Sequence, residues 1–398
     1  MKRVGIVTTV GYDNYGNLLQ NYAVTKLIED MGYQAVTLNN ELEEHDTASF
    51  EQVKGLSKLR LYYVRRYLKV KLFQAVGCKN TADFFPLNLI RIIKRKKSFQ
   101  ECRDRRYKKF KKFRADYIPY EPYPIESSDF RESDYTAFVC GSDVVWYPRF
   151  HYNKTNDFLG FAPQYKRIAL APSFGVSEIP ENRKESYREW LKGIKYLSVR
   201  ETAGVTIIRD LIEREVVVLP DPTLSIEAEY WRSISKEPYT IPDKPYVLCY
   251  FLGNVIPEYL SWIKKCARLE KKEIVFVYDV KYLQYYATDP SEFLWLLDNA
   301  DAVFTDSFHG IVFSMLFHTP FVAFRRIEEG LSIFSRIESL LQCMNMEERQ
   351  YGKISVSQFD KLEFDLVDEK IEQLRKTECD FLKKAFQEIE ANGDNKKE

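Results

Sequence analysis

The sequence predicts an α/β protein of two domains, with a basic helical insertion in the first. Three observations predict it. Short β-branched runs alternate with helical patterns, the alternation restarts after a stretch broken by Pro220, Pro222, Pro238, Pro242 and Pro245, and one segment carries a charge unlike the rest. The chain has 398 residues, enough for two or three domains, and with 45% apolar and 29% charged residues it has the composition of a globular protein.

Residues 2–9 read as the first strand. A Gly/Asn-rich loop follows, Gly11-Tyr12-Asp13-Asn14-Tyr15-Gly16-Asn17, then a helix over about 18–31 and a second strand at 34–38. The next strands are expected at 137–140, 167–171, 196–200 and 216–219, each a compact apolar run of the kind buried on both faces of a parallel sheet. Pro220-Asp221-Pro222 stops the last of them, and residues up to 245 show little apolar periodicity. The pattern then resumes, with strands at 246–251, 273–278, 302–305 and 321–324 and helices at 257–269, 291–299 and 311–317. A helix from 366 to about 390 closes the chain. The expected division is therefore 1–225, a linker at 226–245, a second domain at 246–345 and a C-terminal segment at 346–398. Two such domains in series place a ligand between them, outside the carboxyl ends of the strands.

The net charge of +1 hides an asymmetry. Residues 54–114 hold 21 Lys and Arg against the three acids Asp83, Glu101 and Asp104, so an excess of 18 positive charges is offset by 17 negative ones elsewhere. Leu56, Leu59, Tyr63, Tyr67 and Val70 recur there at helical spacing, which reads as a helical insertion over about 50–115 rather than a linker. Such charge suits a solvated hairpin, an anionic surface or a nucleic acid; nothing else in the chain resembles a nucleic-acid module, and no nucleic-acid partner is expected.

Seven cysteines (Cys78, Cys102, Cys140, Cys249, Cys266, Cys343 and Cys379) are scattered without C-x-x-C spacing, and the four histidines lack ligand spacing. Reduced, buried thiols and no metal site are expected. The basic start lacks the apolar run of a signal peptide, because Tyr12, Asp13, Asn14 and Asn17 follow closely. No apolar run approaches the roughly 20 residues of a membrane span, so a cytoplasmic protein is expected.

Chemistry-bearing residues gather at strand ends. The strand at 302–305 runs into Thr305-Asp306-Ser307-Phe308-His309-Gly310 and a helix. Gly310 permits a tight turn, the N–H groups of the helix start can hold an anion, and a histidine there can exchange a proton near neutral pH. The alternative is an N-capping Asp306 or Ser307 beside a structural His309. Cys140-Gly141-Ser142-Asp143 ends another strand, as a capped turn or as part of a site. Ser198-Val199-Arg200-Glu201 ends a third in an arginine whose fork suits carboxylate or phosphate, or pairs with Glu201 at the surface. Arg325 and Arg326 follow the strand after His309; adjacent side chains diverge, so at most one is expected to face an anion. Gly11, Gly16 and Asn17 allow close approach of a ligand, but neither the G-x-G-x-x-G of a dinucleotide site nor the G-x-S-x-G of a hydrolase elbow is present.

Taken in order, six segments resemble the polysaccharide pyruvyl transferase family. They are Asn14-Tyr15-Gly16-Asn17-Leu18-Leu19-Gln20-Asn21-Tyr22-Ala23, Cys140-Gly141-Ser142-Asp143, Ala171-Pro172-Ser173-Phe174-Gly175, Ser198-Val199-Arg200-Glu201, Leu219-Pro220-Asp221-Pro222-Thr223-Leu224 and Thr305-Asp306-Ser307-Phe308-His309-Gly310. The resemblance implies a GT-B-like arrangement of two Rossmann-like domains, the first on the acceptor side and the second on the phosphoenolpyruvate side. It implies transfer of the enolpyruvyl carbons of phosphoenolpyruvate to two hydroxyls of a sugar, giving a cyclic ketal and phosphate, with no metal or redox cofactor. His309 is then expected to transfer protons, Arg200 to bind the anion, and Asp143 or Asp221 to orient or activate a hydroxyl. Gly16, Asn17, Ser142, Asp306, Ser307 and Gly310 are expected to bind substrate. Some members carry an arginine where this chain has Ser307, a presumed anion contact that Arg325 or Arg326 is expected to replace. The implied acceptor is a lipid-linked saccharide of a surface-polysaccharide precursor, and the basic insertion is then expected to dock on anionic lipid at the inner membrane face. The competing readings are a GT-B-like glycosyltransferase using a nucleotide sugar and a non-catalytic, glycan-binding member of the family.

Overall fold

Strands whose every residue is buried must lie inside a sheet covered on both faces, and the runs Ala137–Cys140, Tyr246–Tyr250 and Ala302–Thr305 are of that kind. In a computed structural model of the chain, the residues described are 1–9, 14–40, 85–148, 155–279, 282–327 and 334–394. Loop residues Gly11 to Asp13 and the helical pattern from Leu56 to Val70 lie outside them. The chain divides into one unit of Met1–Asn40 with Arg105–Glu398 and another of Glu41–Asp104.

The first sheet is built from β1 (Arg3–Val7), α1 (Tyr15–Asp30), β2 (Gln34–Asn39), α2 (Phe85–Tyr117), β3 (Tyr120–Pro124), β4 (Ala137–Cys140), β5 (Arg167–Ala169), α3 (Lys184–Lys192), β6 (Tyr196–Val199), α4 (Thr202–Ile212) and β7 (Val217–Val218). Its seven parallel strands run in the order β3-β2-β1-β4-β5-β6-β7, which is the Rossmann order with one strand added at the edge. Strand β3 is absent from the expected elements because Pro122 and Pro124 break the signal; an edge strand tolerates them, since only one side of its backbone is paired. Two short helices follow, α5 (Pro222–Ser225) and α6 (Ala228–Ile234).

The second sheet comprises β8 (Tyr246–Tyr250), α7 (Pro257–Leu269), β9 (Glu273–Val277), α8 (Pro290–Asp298), β10 (Ala302–Thr305), α9 (Phe308–Leu316) and β11 (Phe321–Ala323). The strands are parallel in the order β11-β10-β8-β9. After it come α10 (Ser335–Cys343) and α11 (Asp365–Asp394). In both sheets the order reverses beside the first strand, between β1 and β4 and between β8 and β10. A ligand crevice opens at such points.

Residues 226–245, expected as a linker, hold α6, whose fully buried Trp231 lies edge-on to Phe313 and tilted against Tyr22. Helix α11 braces both sheets. Val367 and Ile371 join the core around β8 and β10, while Leu382, Ala385, Phe386 and Ile389 pack on Val4, Ile6, Val24 and Ile28. Its Glu390 accepts hydrogen bonds from Lys2 and Tyr33 at 2.7 Å each. Two Rossmann-like sheets braced by a returning C-terminal helix form the expected GT-B-like arrangement.

Part of the basic stretch is structural. Arg106 is buried, donates to Tyr15 Oη at 2.7 Å and to the Tyr286 carbonyl at 2.9 Å, and lies against the rings of Tyr15, Phe110 and Tyr278. Lys109 pairs with Glu292 at 2.6 Å, and Arg114 stacks over Tyr120. All six cysteines among the described residues are free. No helix among those residues is long and apolar enough to cross a membrane.

Candidate active site

Three strands of the first sheet end in acids and an arginine, and they converge. The turn after β4 presents Asp143, the end of β6 presents Arg200 and Glu201, and the chain leaving β7 presents Asp221. Asp221 caps α5: its Oδ1 accepts from the Thr223 amide at 3.1 Å and the Thr223 hydroxyl at 2.7 Å. Its Oδ2 accepts from Arg200 Nη1 at 2.5 Å and from Ser142 Oγ at 3.3 Å. The same oxygen faces His309 Nε2 from the second sheet at 3.6 Å, an electrostatic contact too long to be a hydrogen bond.

Arg200 is held in depth. Its side chain is 2% exposed, its guanidinium lies over the Phe308 ring, and it reaches Asp143 at 3.5 Å and Glu201 at 3.7 Å. Beyond Asp221 its donors are unspent: Nε and Nη2 have no hydrogen-bond acceptor among the described residues, and His309 Nε2 has no partner either. Glu201 is anchored through Oε1, which accepts from Ser173 Oγ at 2.8 Å and the Phe174 amide at 3.2 Å. A cavity of about 150 Å³ opens here, walled by Arg200, Glu201, Asp221, Phe308 and Arg336.

Charge sets the protonation of this cluster. Burial alone would raise the Asp221 carboxyl, but His309 and Arg200 outweigh it and hold it far below the ordinary carboxylate range. Asp143 follows the same logic, with burial opposed by His309, Arg200 and Arg336. Arg200 is raised, because Asp221, Asp143 and Glu201 overcome its burial. Behind Asp221 sits Glu378 of α11, fully buried, with no hydrogen-bond partner for either carboxyl oxygen among the described residues. Burial, with Asp221 adding to it and Ser225 opposing, pushes this acid up to about 8.

Of the residues singled out in the sequence, Asp143, Ser142, Arg200, Asp221 and His309 meet. Gly16 belongs with them through packing: a Cβ there would lie 2.2 Å from His309 Nδ1, so only glycine lets α1 pass the imidazole. Asn17 is half-buried on the next position of α1. Asp306, Ser307, Gly310 and Arg326 hold the turn after β10, and Arg325 lies at the surface.

Asp306 turns away from substrate-binding duty, because both its oxygens are consumed. Oδ1 accepts from the Leu252 amide at 2.7 Å, and Oδ2 from the Gly253 amide at 2.9 Å and Arg326 Nε at 3.3 Å. Arg326 also donates to the Asp306 carbonyl at 3.2 Å, which commits it to the same turn. Ser307 is the N-cap of α9, accepting from the Gly310 amide at 3.4 Å, and that helix starts at Phe308 rather than at 311. Gly310 is needed because a Cβ would come within 2.6 Å of Thr305 Oγ1. Arg325 is at the surface, 57% exposed and paired with Glu338 at 2.8 Å, so it cannot replace an anion contact at Ser307. The residue that sequence reasoning missed is Arg336, whose side chain is 10% exposed and whose Nη1 donates to Asp143 Oδ1 at 3.3 Å. Nothing local marks it, since it reaches the site through the packing of α10. No group of His, Cys, Asp and Glu among the described residues could hold a metal ion.

The family model described as polysaccharide pyruvyl transferase matches residues 14–327. No curated protein matches the chain. Among solved structures it is similar to the UDP-GlcNAc 2-epimerase of Neisseria meningitidis bound to UDP-GlcNAc, at 10% identity over 96% of this chain and 100% of that one, with a TM-score of 0.37. The UDP-GlcNAc 2-epimerase of Methanocaldococcus jannaschii is 13% identical over 85% of this chain and 87% of its own, with a TM-score of 0.36. A UDP-glucosyltransferase of Polygonum tinctorium is 10% identical over 98% of both chains, with a TM-score of 0.37. Likeness at these TM-scores carries no argument about chemistry.

Proposed function

The chain belongs to the polysaccharide pyruvyl transferase family, and from that premise we propose that it moves the enolpyruvyl carbons of phosphoenolpyruvate onto two hydroxyls of a saccharide. The products are a cyclic ketal and phosphate. One observation carries the reading: Arg200, with two unspent donors, and His309, whose Nε2 has no hydrogen-bond partner among the described residues, flank Asp221 beside a cavity. A small anion that must be protonated on carbon needs such a pair.

The steps follow from the residues. His309 protonates the methylene carbon, leaving positive character at C2, and Asp221 steadies the imidazolium through its ionised Oδ2. A sugar hydroxyl attacks C2 and gives its proton to Asp143, whose contacts at 3.3 and 3.5 Å are loose enough to exchange. The C2–O bond to phosphate breaks, the departing phosphate taking the proton held by Asp143, and the second hydroxyl closes the ring and returns its proton to His309. Of the two hydroxyl protons, one ends on the methyl carbon and the other on phosphate, so the balance closes without an oxidant or a metal.

A lipid-linked acceptor suits the remaining cations of α2. Arg105, Lys108, Lys111 and Lys112 are exposed, and their three- and four-residue spacing puts them on one face. Sedimentation with vesicles tests this, the expected result being a preference for anionic over neutral lipid.

The deciding experiment is mass spectrometry of saccharide acceptors incubated with phosphoenolpyruvate, together with a phosphate assay. The added mass of a pyruvyl ketal and equimolar phosphate are expected. Release of a nucleoside diphosphate from nucleotide sugars, with no pyruvyl mass gained, would show a glycosyltransferase instead.

A further inference from the structure

The face of the second sheet turned away from α9 carries a pocket that the proposed reaction does not use. It measures about 410 Å³, within the range of about 300–1,000 Å³ usual for small-ligand sites. Its walls are Pro257, Glu258, Ser261, Trp262 and Lys265 of α7, joined by Tyr351 from the chain after α10. Ile263 and Cys266 of α7 share a core with Val247, Cys249 and Phe304. Helix α9 shares one with Leu248 and Val303, which point to the other side of the sheet. The pocket is therefore separate from the cluster around His309.

Two rings meet there at a right angle. Trp262 and Tyr351 are half-buried, with centroids 5.7 Å apart and planes at 85°. Trp262 is fixed edge-on against Phe304 and Phe324, at 5.4 and 5.8 Å. Tyr351 stacks on Phe324 at 5.0 Å, and its amide donates to the Ala323 carbonyl at 2.8 Å, which ties it to β11. Packing thus holds the rings but leaves their polar tips open. Among the described residues, neither Trp262 Nε1 nor Tyr351 Oη has a hydrogen-bond partner. The exposed side chains of Glu258, Ser261 and Lys265 make neither a hydrogen bond nor an ion pair among those residues. Other charges of this domain do pair, as Arg325 with Glu338 and Lys272 with Asp301.

The chemistry of the walls selects the occupant. One acid and one base sit together, so an anion or a cation would each meet a like charge. A purely apolar partner would bury five polar groups without satisfying them. A neutral sugar ring meets every requirement. Its C–H face lies on an indole or phenol ring. Its hydroxyls, each both donor and acceptor, suit Glu258 as acceptor, Lys265 and Trp262 Nε1 as donors, and Ser261 and Tyr351 as either. We propose that this pocket binds one neutral pyranose unit of a glycan chain, at a site distinct from the catalytic one. The proposal goes beyond the pyruvyl-transfer reading and does not rest on it.

Titration calorimetry of the full chain with cellotetraose, chitotetraose and maltotetraose, each without phosphoenolpyruvate, tests this. At least one is expected to bind with a dissociation constant of about 0.1–10 mM, as one shallow site allows. Trp262→Leu is expected to weaken that binding about 10-fold or more, and Glu258→Gln and Tyr351→Phe about 2- to 5-fold each. His309→Gln should bind the same saccharide as tightly as the wild type, which keeps this site apart from the acceptor's place beside the catalytic cluster. Equal binding by Trp262→Leu and the wild type overturns the proposal, and so does a wild type that binds none of the three. Should Trp262→Leu fail to fold by circular dichroism, Glu258→Gln and Tyr351→Phe decide, and unchanged binding in both overturns it. If tetrasaccharide binding depends on Trp262 while no acceptor gains pyruvyl mass, the pyruvyl-transfer reading falls and this site stands.

Discussion

The carboxyl ends of β7 and β10 carry the same punctuation, an aspartate followed by an apolar helix, and put it to opposite uses. Asp221 spends one oxygen on the amide and hydroxyl of Thr223 and offers the other to Arg200, Ser142 and His309. Asp306 spends both on the backbone amides of Leu252 and Gly253 and on Arg326. A carboxylate saturated by its neighbours' main chain holds a turn in place. One that faces groups able to gain or lose protons sets their charge. On the proposed function, the chemistry of the β10 turn falls to His309, while Asp306, Ser307 and Gly310 keep its position.

The largest expected effect tests that division within a single turn. His309→Gln keeps the size and polarity of the side chain but cannot carry a proton, and phosphate release is expected to fall about 10²- to 10⁴-fold with little change in melting temperature. Asp306→Asn should do the reverse. If the two variants lost activity equally with equal losses of stability, the contrast between the strand ends would be false.

Glu378 sharpens the comparison, because a buried acid stands behind Asp221. With its folded value raised to about 8 from an ordinary 4.5, the stability tied to its protonated form is complete below 4.5 and is lost as pH rises towards 8. The slope is at most about 1.4 kcal/mol per pH unit. Asp221 works in the opposite sense: its lowered value gives stability above the ordinary carboxylate range that is lost only in acid. Glu378→Gln, neutral at every pH, is expected to melt with the wild type near pH 5 and above it near pH 9. Parallel curves for the two proteins would refute the assignment.

How much of this could be read in the sequence differs by level. The strands at 137–140 and 302–305 and the helix at 257–269 fall where they are expected, since compact apolar runs and Pro257 at a helix start are local signals. Strand β3 is hidden by its prolines, and α6 by a segment whose few core anchors, Ile226, Trp231 and Ile234, are buried by residues distant in sequence. Asp143, Arg200, Asp221 and His309 stand at strand ends, where parallel sheets put chemistry, so position alone proposes them. Arg336 has no such address. It sits on the second residue of α10, and only the packing of that helix brings it to Asp143. The same holds in reverse for Arg325, which has the right address and points to solvent.

Gly16→Ala asks whether α1 sets the aim of His309. An added Cβ would come within 2.2 Å of Nδ1, so the imidazole must move. Displacement of an acid by a fraction of an ångström to an ångström costs up to about 100-fold in rate, with overpacking costing about 1–3 kcal/mol of stability. Activity measured at a temperature well below melting separates the two losses. Full activity in the variant would mean that the helix and the histidine are not coupled.

Asp306→Asn is expected to cost about 1–3 kcal/mol, because the introduced amide group turns a donor towards Gly253 N–H and Arg326, or withdraws an acceptor from the Leu252 amide. Chemical denaturation reads this loss, and the affinity for phosphoenolpyruvate should follow the folded fraction and nothing more.

The smallest effect is expected where an arginine looked best placed in sequence. Arg325 pairs with Glu338 in the open, and its guanidinium lies over Phe334. An exposed ion pair contributes about 0–1 kcal/mol, and salt screens much of that. Arg325→Gln should therefore shift stability by about 0.5 kcal/mol or less and leave phosphoenolpyruvate affinity unchanged. The null effect is informative, because Arg325 stands close in sequence to the strand end that carries His309. A site that merely collected positive charge would weaken in Arg325→Gln, more so at low salt. A site built on the buried fork of Arg200 does not respond to Arg325 at any ionic strength, and titrations at low and high salt tell these two kinds of anion site apart.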